Sequence, residues 1–258
     1  MGLAVAINAS GDRDAGAFSM KIVSFKICPF VQRVTALLEA KNSDYDIEYI
    51  DLSHKPQWFL DISPNAQVPI LITDDGDVLF ESDAIVEYLD EVVGTPLSSN
   101  HAVQKAQDRA WSYLASKNYL VQCSAQRSPD AKTLEERAAK LSKAFGKIEA
   151  KLGEGRYAKG DDLSMVDIGW LPLLHRAAII EQYSGYDFLK VFPKVKQWQR
   201  NLLDTGIATK SVPEDFEERF TAFYLAESTC LGKLAKSKNG KAYCGSAECR
   251  VDDMDCCA

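Results

Sequence analysis

Met20-Lys21-Ile22-Val23-Ser24-Phe25-Lys26-Ile27-Cys28-Pro29-Phe30-Val31-Gln32-Arg33 is the stretch on which the fold turns. Ile22, Val23 and Phe25 form a strand-like apolar run, and Phe30, Val31, Val34, Leu37 and Leu38 then recur at helical spacing. Pro29 suits the first helical turn, where a missing N–H costs nothing. The pattern places Cys28 at the N-terminal cap of a helix, where unpaired N–H groups and the positive end of the helix dipole converge. A thiolate is stabilised by both, and the position predicts a thiol pKa lowered to roughly 3.5–7.5. The competing reading is a small, buried, apolar cysteine.

Outward from this turn, residues 20–93 read as alternating strands and helices, in the order β-α-β-loop-β-β-α. Strands are expected at 21–25, 47–50, 68–72 and 78–80, with a helix over about 30–41. Asp74-Asp75-Gly76-Asp77 is a tight-turn sequence, and Ser82 is expected to cap a helix whose apolar face carries Ala84, Ile85, Tyr88 and Leu89. Residues 53–66, rich in Ser, Pro and Asn, read as loop. Gly94-Thr95-Pro96-Leu97 marks a boundary, and residues 103–232 read as wholly helical. There, Ser164-Met165-Val166-Asp167 is a capping box opening an apolar helix. Phe216, Phe220, Phe223 and Tyr224 form an aromatic stripe that reads as core. Residues 1–19 read as a mobile extension without the features of a secretory leader, and 233–258 as a Cys-rich tail.

Composition narrows the function. The formal net charge of −7 argues against nucleic acid as a partner, and no apolar run reaches the roughly 20 residues of a membrane span. Residues 20–95 hold 5 Lys or Arg against 14 Asp or Glu, net −9, whereas residues 96–258 hold 24 against 21, net +3. An anionic ligand of the first half therefore needs local positive charge, from Lys55 or from the helix N-termini at Cys28 and Ser82. His54, His101 and His175 are scattered, so no metal site is expected from them. Seven cysteines in a chain of this size do not form a disulfide framework; the body reads as a cytoplasmic protein with reduced thiols.

Taken in order and spacing, these pieces resemble the cytosolic glutathione transferase superfamily over about residues 20–230. Cys28-Pro29-Phe30 is similar to the omega class, in which cysteine replaces the Tyr or Ser of other classes. So are Lys55-Pro56-Gln57-Trp58-Phe59 with Pro64-Asn65, Gln67-Val68-Pro69, Phe80-Glu81-Ser82-Asp83-Ala84-Ile85, and Glu87-Tyr88-Leu89. The resemblance implies an α/β plus all-α fold: an N-terminal thioredoxin-like domain followed by an all-helical domain, the latter opened by the Ser164–Asp167 capping signature. It implies glutathione as co-substrate, with Cys28 as nucleophile and Phe30 beside it. Val68, before a cis Pro69, would pair its backbone with the cysteinyl part. Glu81 and Ser82 would hold the γ-glutamyl end, and Lys55 the glycyl carboxylate. A carboxylate suits an ammonium, and a helix N-terminus suits a carboxylate. Taken singly, Glu81 is also readable as a first-turn charge, Ser82 as a simple cap and Lys55 as a solvated side chain.

The second substrate would be a small hydrophobic molecule or a disulfide, met by aromatics among Trp111, Tyr113, Tyr119, Trp170 and the 216–224 stripe. The implied activity is thiol transfer or dehydroascorbate-type reduction. The alternatives are a glutathione lyase acting on aryl ethers or haloaromatics, and a non-catalytic binding protein on the same fold. Position 31 is Val, so the Cys-x-x-Cys of a dithiol is missing and an external thiol must resolve a mixed disulfide. The superfamily implies a homodimer without membrane insertion. The tail cysteines Cys244, Cys249, Cys256 and Cys257 are open to three readings: a metal clip, a redox tail or a disordered end.

Overall fold

The computed structural model describes residues 20–239. The expectations for residues 1–19 and for the tail cysteines lie outside them.

Strand β1 (Lys21–Ser24), helix α1 (Pro29–Ala40) and strand β2 (Asp46–Tyr49) form a β-α-β unit, with β1 and β2 parallel and Ile22 opposite Ile47. Strands β3 (Ile70–Ile72) and β4 (Val78–Phe80) form a hairpin joined by the Asp74–Asp77 turn, in which Gly76 takes a φ of 86°. The sheet order is β2-β1-β3-β4, with β3 antiparallel to β1. Alternation sends Ile22 to one face and Val23 to the other. Ile22 packs with Val34, Leu37 and Leu38 of α1 and with Ile85 and Leu89 of α3 (Ser82–Val92). Val23 packs with Ile50, Ile70 and Phe59.

Phe59 belongs to α2 (Gln57–Ile62), a short helix within a stretch that reads as loop. Phe59 is the helix's one buried residue, so no apolar period exists to announce it. A second correction concerns Ser82, which is the first residue of α3; the cap position falls on Glu81.

The second domain comprises α4 (Ala102–Ser116), α5 (Tyr119–Gln126), α6 (Ala131–Lys151), α7 (Met165–Ser184), α8 (Pro193–Leu203), α9 (Ile207–Lys210), α10 (Phe216–Tyr224) and α11 (Cys230–Asn239). Helix α11 continues past residue 232, where the sequence reading ends this domain. Helix α7 is the axis: it is buried nearly all round and touches α1 of the first domain. It passes so close to α4 that a Cβ on Gly169 would lie 3.1 Å from Ser112. Its start is fixed by Asp167, whose Oδ2 accepts from the Ser164 N–H (2.8 Å) and hydroxyl (2.6 Å). Oδ1 accepts from the Ala158 N–H and the Trp198 indole. Ser164 and Asp167 thus act in the architecture, well away from the pocket described next. Lys41 and Asp90, both buried, form an ion pair that clasps the end of α1 to α3 and the boundary segment.

Candidate active site

Chain reversal after β1 delivers Cys28 to the cap of α1. Its N–H donates to Phe25 O (3.3 Å), its own carbonyl accepts from the Gln32 N–H (3.2 Å), and Pro29 occupies the first helical position. The Cys28 side chain is therefore turned toward the free N–H groups of Phe30 and Val31. It is only 5% exposed. Burial pushes the thiol up to about 12, and the opposing pull of the Val31 and Phe30 N–H groups and the Arg176 guanidinium does not offset it. This corrects the expectation of an acidic thiol. The helix N-terminus is present, but loss of water from around the sulfur outweighs it.

Cys28 forms the floor of an open cavity of about 750 Å³, counted with its mouth. Phe30, Lys55, Val68, Pro69, Glu81 and Ser82 all line the same cavity. The seven residues singled out around glutathione thus converge on one site, from two loops and two helix starts. Three local features build the rim. The Val68–Pro69 bond is cis. Glu81 takes a φ of 67° and Ala66 one of 50°, conformations that favour glycine. Asn65 Nδ2 donates to Glu81 Oε1 at 3.1 Å, holding the carboxylate at the mouth. Lys55 has neither a carboxylate nor a hydrogen-bond partner among the described residues, which leaves its ammonium available to a ligand.

The helical domain contributes little to the cavity, and most of its candidate aromatics are elsewhere. Leu120 of α5 reaches the cavity, and the Tyr119 ring packs edge-on against Phe30 at 5.2 Å. Trp170 is fully buried against Phe145 and Trp198. Trp111 lines a separate cavity, and Tyr113 sits by Glu87. Phe216, Phe220 and Tyr224 are buried core. His175 is half-buried and stacked on Phe216, its pKa lowered to about 3 by loss of water around the ring and by Arg176, so it is neutral and bonded to Gln32 at 2.8 Å. Sequence reasoning passed over Leu52 and Leu120 in the cavity wall, and it quoted Asn65 and Phe80 only as parts of motifs. No group of three or more metal-ligating side chains occurs among the described residues.

The chain matches the family described as glutathione S-transferase, N-terminal domain, over residues 27–92, and the corresponding C-terminal domain family over residues 131–200. Glutathione S-transferase omega-1 of Rattus norvegicus is 30% identical over 216 residues, covering 81% of this chain and 87% of that protein. The probable glutathione S-transferase DHAR1, cytosolic, of Oryza sativa subsp. japonica is 28% identical over 190 residues, 72% of this chain and 85% of that one. Among solved structures, rice GST1 in complex with glutathione superposes with a TM-score of 0.71 at 21% identity, covering 86% of this chain and 99% of that chain. The chain belongs to the glutathione S-transferase family, and its relatives place it on the omega-like side.

Proposed function

We propose that this chain is a glutathione-dependent thiol transferase or reductase of omega type with Cys28 as nucleophile. The observation that carries the reading is that Cys28 is the one cysteine among the described residues to line a cavity whose rim offers both a carboxylate and an ammonium without a partner among those residues. The Glu81 carboxylate and the N-terminus of α3 at Ser82 suit the ammonium and carboxylate of a γ-glutamyl end. The Lys55 ammonium suits a glycyl carboxylate. The Val68 backbone at the cavity edge can pair with a cysteinyl backbone, which lays the ligand sulfur over Cys28.

The Cys28 sulfur attacks the glutathione sulfur of a mixed disulfide R–S–SG. A Cys28–S–SG bond forms, the S–S bond to R breaks, and RSH leaves with the proton lost by Cys28. A second glutathione then attacks the glutathione sulfur of Cys28–S–SG, giving glutathione disulfide and restoring the thiol. Because burial raises the thiol pKa, attack proceeds from a minor thiolate fraction, and the rate is expected to climb with pH across neutrality without a plateau. Dehydroascorbate-type reduction uses the same cysteine. Replacing Cys28 with Ala is expected to lower thiol transfer at least about a hundredfold, a loss typical of removing a nucleophile. An unchanged rate with hydroxyethyl disulfide would end this reading.

One observation favours a second chemistry. Burial keeps the proton on Cys28, and its S–H, a weak donor, can face a glutathione thiolate during lyase-type transfer to an aromatic substrate. A Cys28→Ser variant separates the two: it would lose thiol transfer under either reading and keep lyase turnover only under the second. We further propose a homodimer, in which the acidic first domain (−9) faces the more basic second part (+3) of another copy. Reduced Cys28, Cys123 and Cys230 suit a reducing, cytoplasmic setting.

A further inference from the structure

Arg176 is a guanidinium with no exposure to solvent, in the middle of an apolar helix. An arginine cannot lose its charge in a protein, so its surroundings must supply compensation. No carboxylate among the described residues pairs with it. Its Nη1 donates to Gln32 Oε1 and to Pro172 O (3.2 Å), its Nη2 donates to Ile27 O (3.3 Å), and its Nε has no partner. The plane lies against the Phe216 ring, 5.3 Å from its centre. Two of these bonds bracket the Cys28 turn. Ile27 O belongs to the peptide bond that leads into Cys28, and Gln32 sits one helical turn after it.

We propose that Arg176 is the positioning and counter-charge residue of Cys28, fixing the Ile27–Gln32 turn from the helical domain and balancing the negative charge that develops on the sulfur. The inference rests on Cys28 being the nucleophile. The ionisable groups that act on Arg176 are two thiols, Cys28 and Cys123, and two phenols, Tyr224 and Tyr119. Tyr119 is buried with its pKa raised, so it stays neutral, and His175 is neutral as well. Arg33 is already paired with Asp83. On the first-domain side, Glu81 and Lys55 line the outer cavity and carry opposite charges. From α1 only the Phe30 and Val31 N–H groups face the sulfur. Of the two thiols, Cys28 is the one that opens on the cavity, so it is the anion that substrate chemistry can create beside Arg176.

The test reads the thiol without turnover. Alkylation of Cys28 by iodoacetamide is followed from pH 7 to 10 by peptide mass spectrometry on the full chain. An opposite charge nearby lowers a thiol pKa by about one unit or more, so Arg176→Met is expected to react about tenfold more slowly at each pH, and Arg176→Lys to stay within about threefold of the native rate. A folded Arg176→Met variant with the native alkylation profile would overturn the proposal. If that variant does not fold, Cys28→Asp and Cys28→Asn, measured at pH 8 with Arg176 intact, decide the matter. A carboxylate beside Arg176 should leave Cys28→Asp melting no lower than Cys28→Asn. A markedly lower melting temperature for Cys28→Asp would mean that no cation compensates that position. These outcomes are independent of the Cys28→Ala activity test, so failure here is distinguishable from failure of the thiol-transfer reading.

Discussion

The two domains approach Cys28 by opposite means. The first domain presents solvent-accessible polar side chains, Glu81, Asn65 and Lys55, on a rim where Glu81 and Ala66 have positive φ. The helical domain presents polar groups locked to one another: buried Arg176 and Gln32 from the facing helix, with the half-buried His175 beside them. A rim of this kind can trade ligand contacts with little consequence for folding, because its groups are solvated when empty. A buried network cannot, because each broken bond leaves a desolvated group without a partner. Substitutions should therefore separate cleanly into those that change glutathione affinity and those that change stability.

The largest effect expected is on the helical side. Asp167 accepts four hydrogen bonds while fully buried. Asp167→Ala would strand those donors and remove the cap of α7, and should lower stability by about 3 kcal/mol or more, as seen when buried networks are broken. Urea unfolding measures it. If the variant instead kept its stability and lost glutathione affinity selectively, the division between the two sides would fail.

Rim changes should show the reverse. Glu81→Gln keeps the shape and removes the charge, and the loss of one charge-assisted contact of about 1.5 kcal/mol should raise the KM for glutathione about tenfold. Lys55→Ala removes a charge that no side chain among the described residues holds in place, and an ion pair at a solvent-open rim, worth about 0.5 kcal/mol, should shift KM only about two- to threefold. Neither should move the unfolding midpoint appreciably. A stability loss in Glu81→Gln as large as that in Asp167→Ala would show that the rim is part of the core.

The same division governs what could be read from the chain. Cys28-Pro29, Val68-Pro69 and Glu81-Ser82 are adjacent pairs within short motifs, and the resemblance those motifs carry together is what collected them, since Glu81 and Ser82 taken singly read as a helix charge and a cap. The capping box Ser164–Asp167 was legible for the same reason. Arg176 and Gln32 are 144 positions apart, and only the packing of α7 on α1 joins them. One signal for Arg176 was present all along: in the run Ile168 to Ile180 it is the one charged residue, with His175 the other polar one, and such a run has no solvated face to occupy. Thiol acidity was misjudged because a cap position is visible in sequence and the depth of burial is not. Helix α2 was missed because six residues with one buried side chain have no period.

The smallest effect expected isolates the strain on the rim. A left-handed conformation costs an L-residue roughly 1–2 kcal/mol, and glycine returns about 0.5–1 kcal/mol of that through its freer unfolded chain. Ala66→Gly and Glu81→Gly should therefore each leave the protein as stable or stabilise it by about 0.5 kcal/mol, since φ values of 50° and 67° suit glycine. The two variants share this relief and differ in chemistry, because only one of them deletes a carboxylate from the cavity mouth. Glu81→Gly should raise the KM for glutathione by at least as much as Glu81→Gln, whereas Ala66→Gly should leave it within about twofold, having removed only a methyl group. Paired unfolding and saturation curves measure both quantities. Destabilisation of both variants would mean that the positive-φ residues are held by contacts the rim needs for folding. An equal rise in KM in both would mean that the shape of the strained loop, and not the Glu81 charge, binds the ligand.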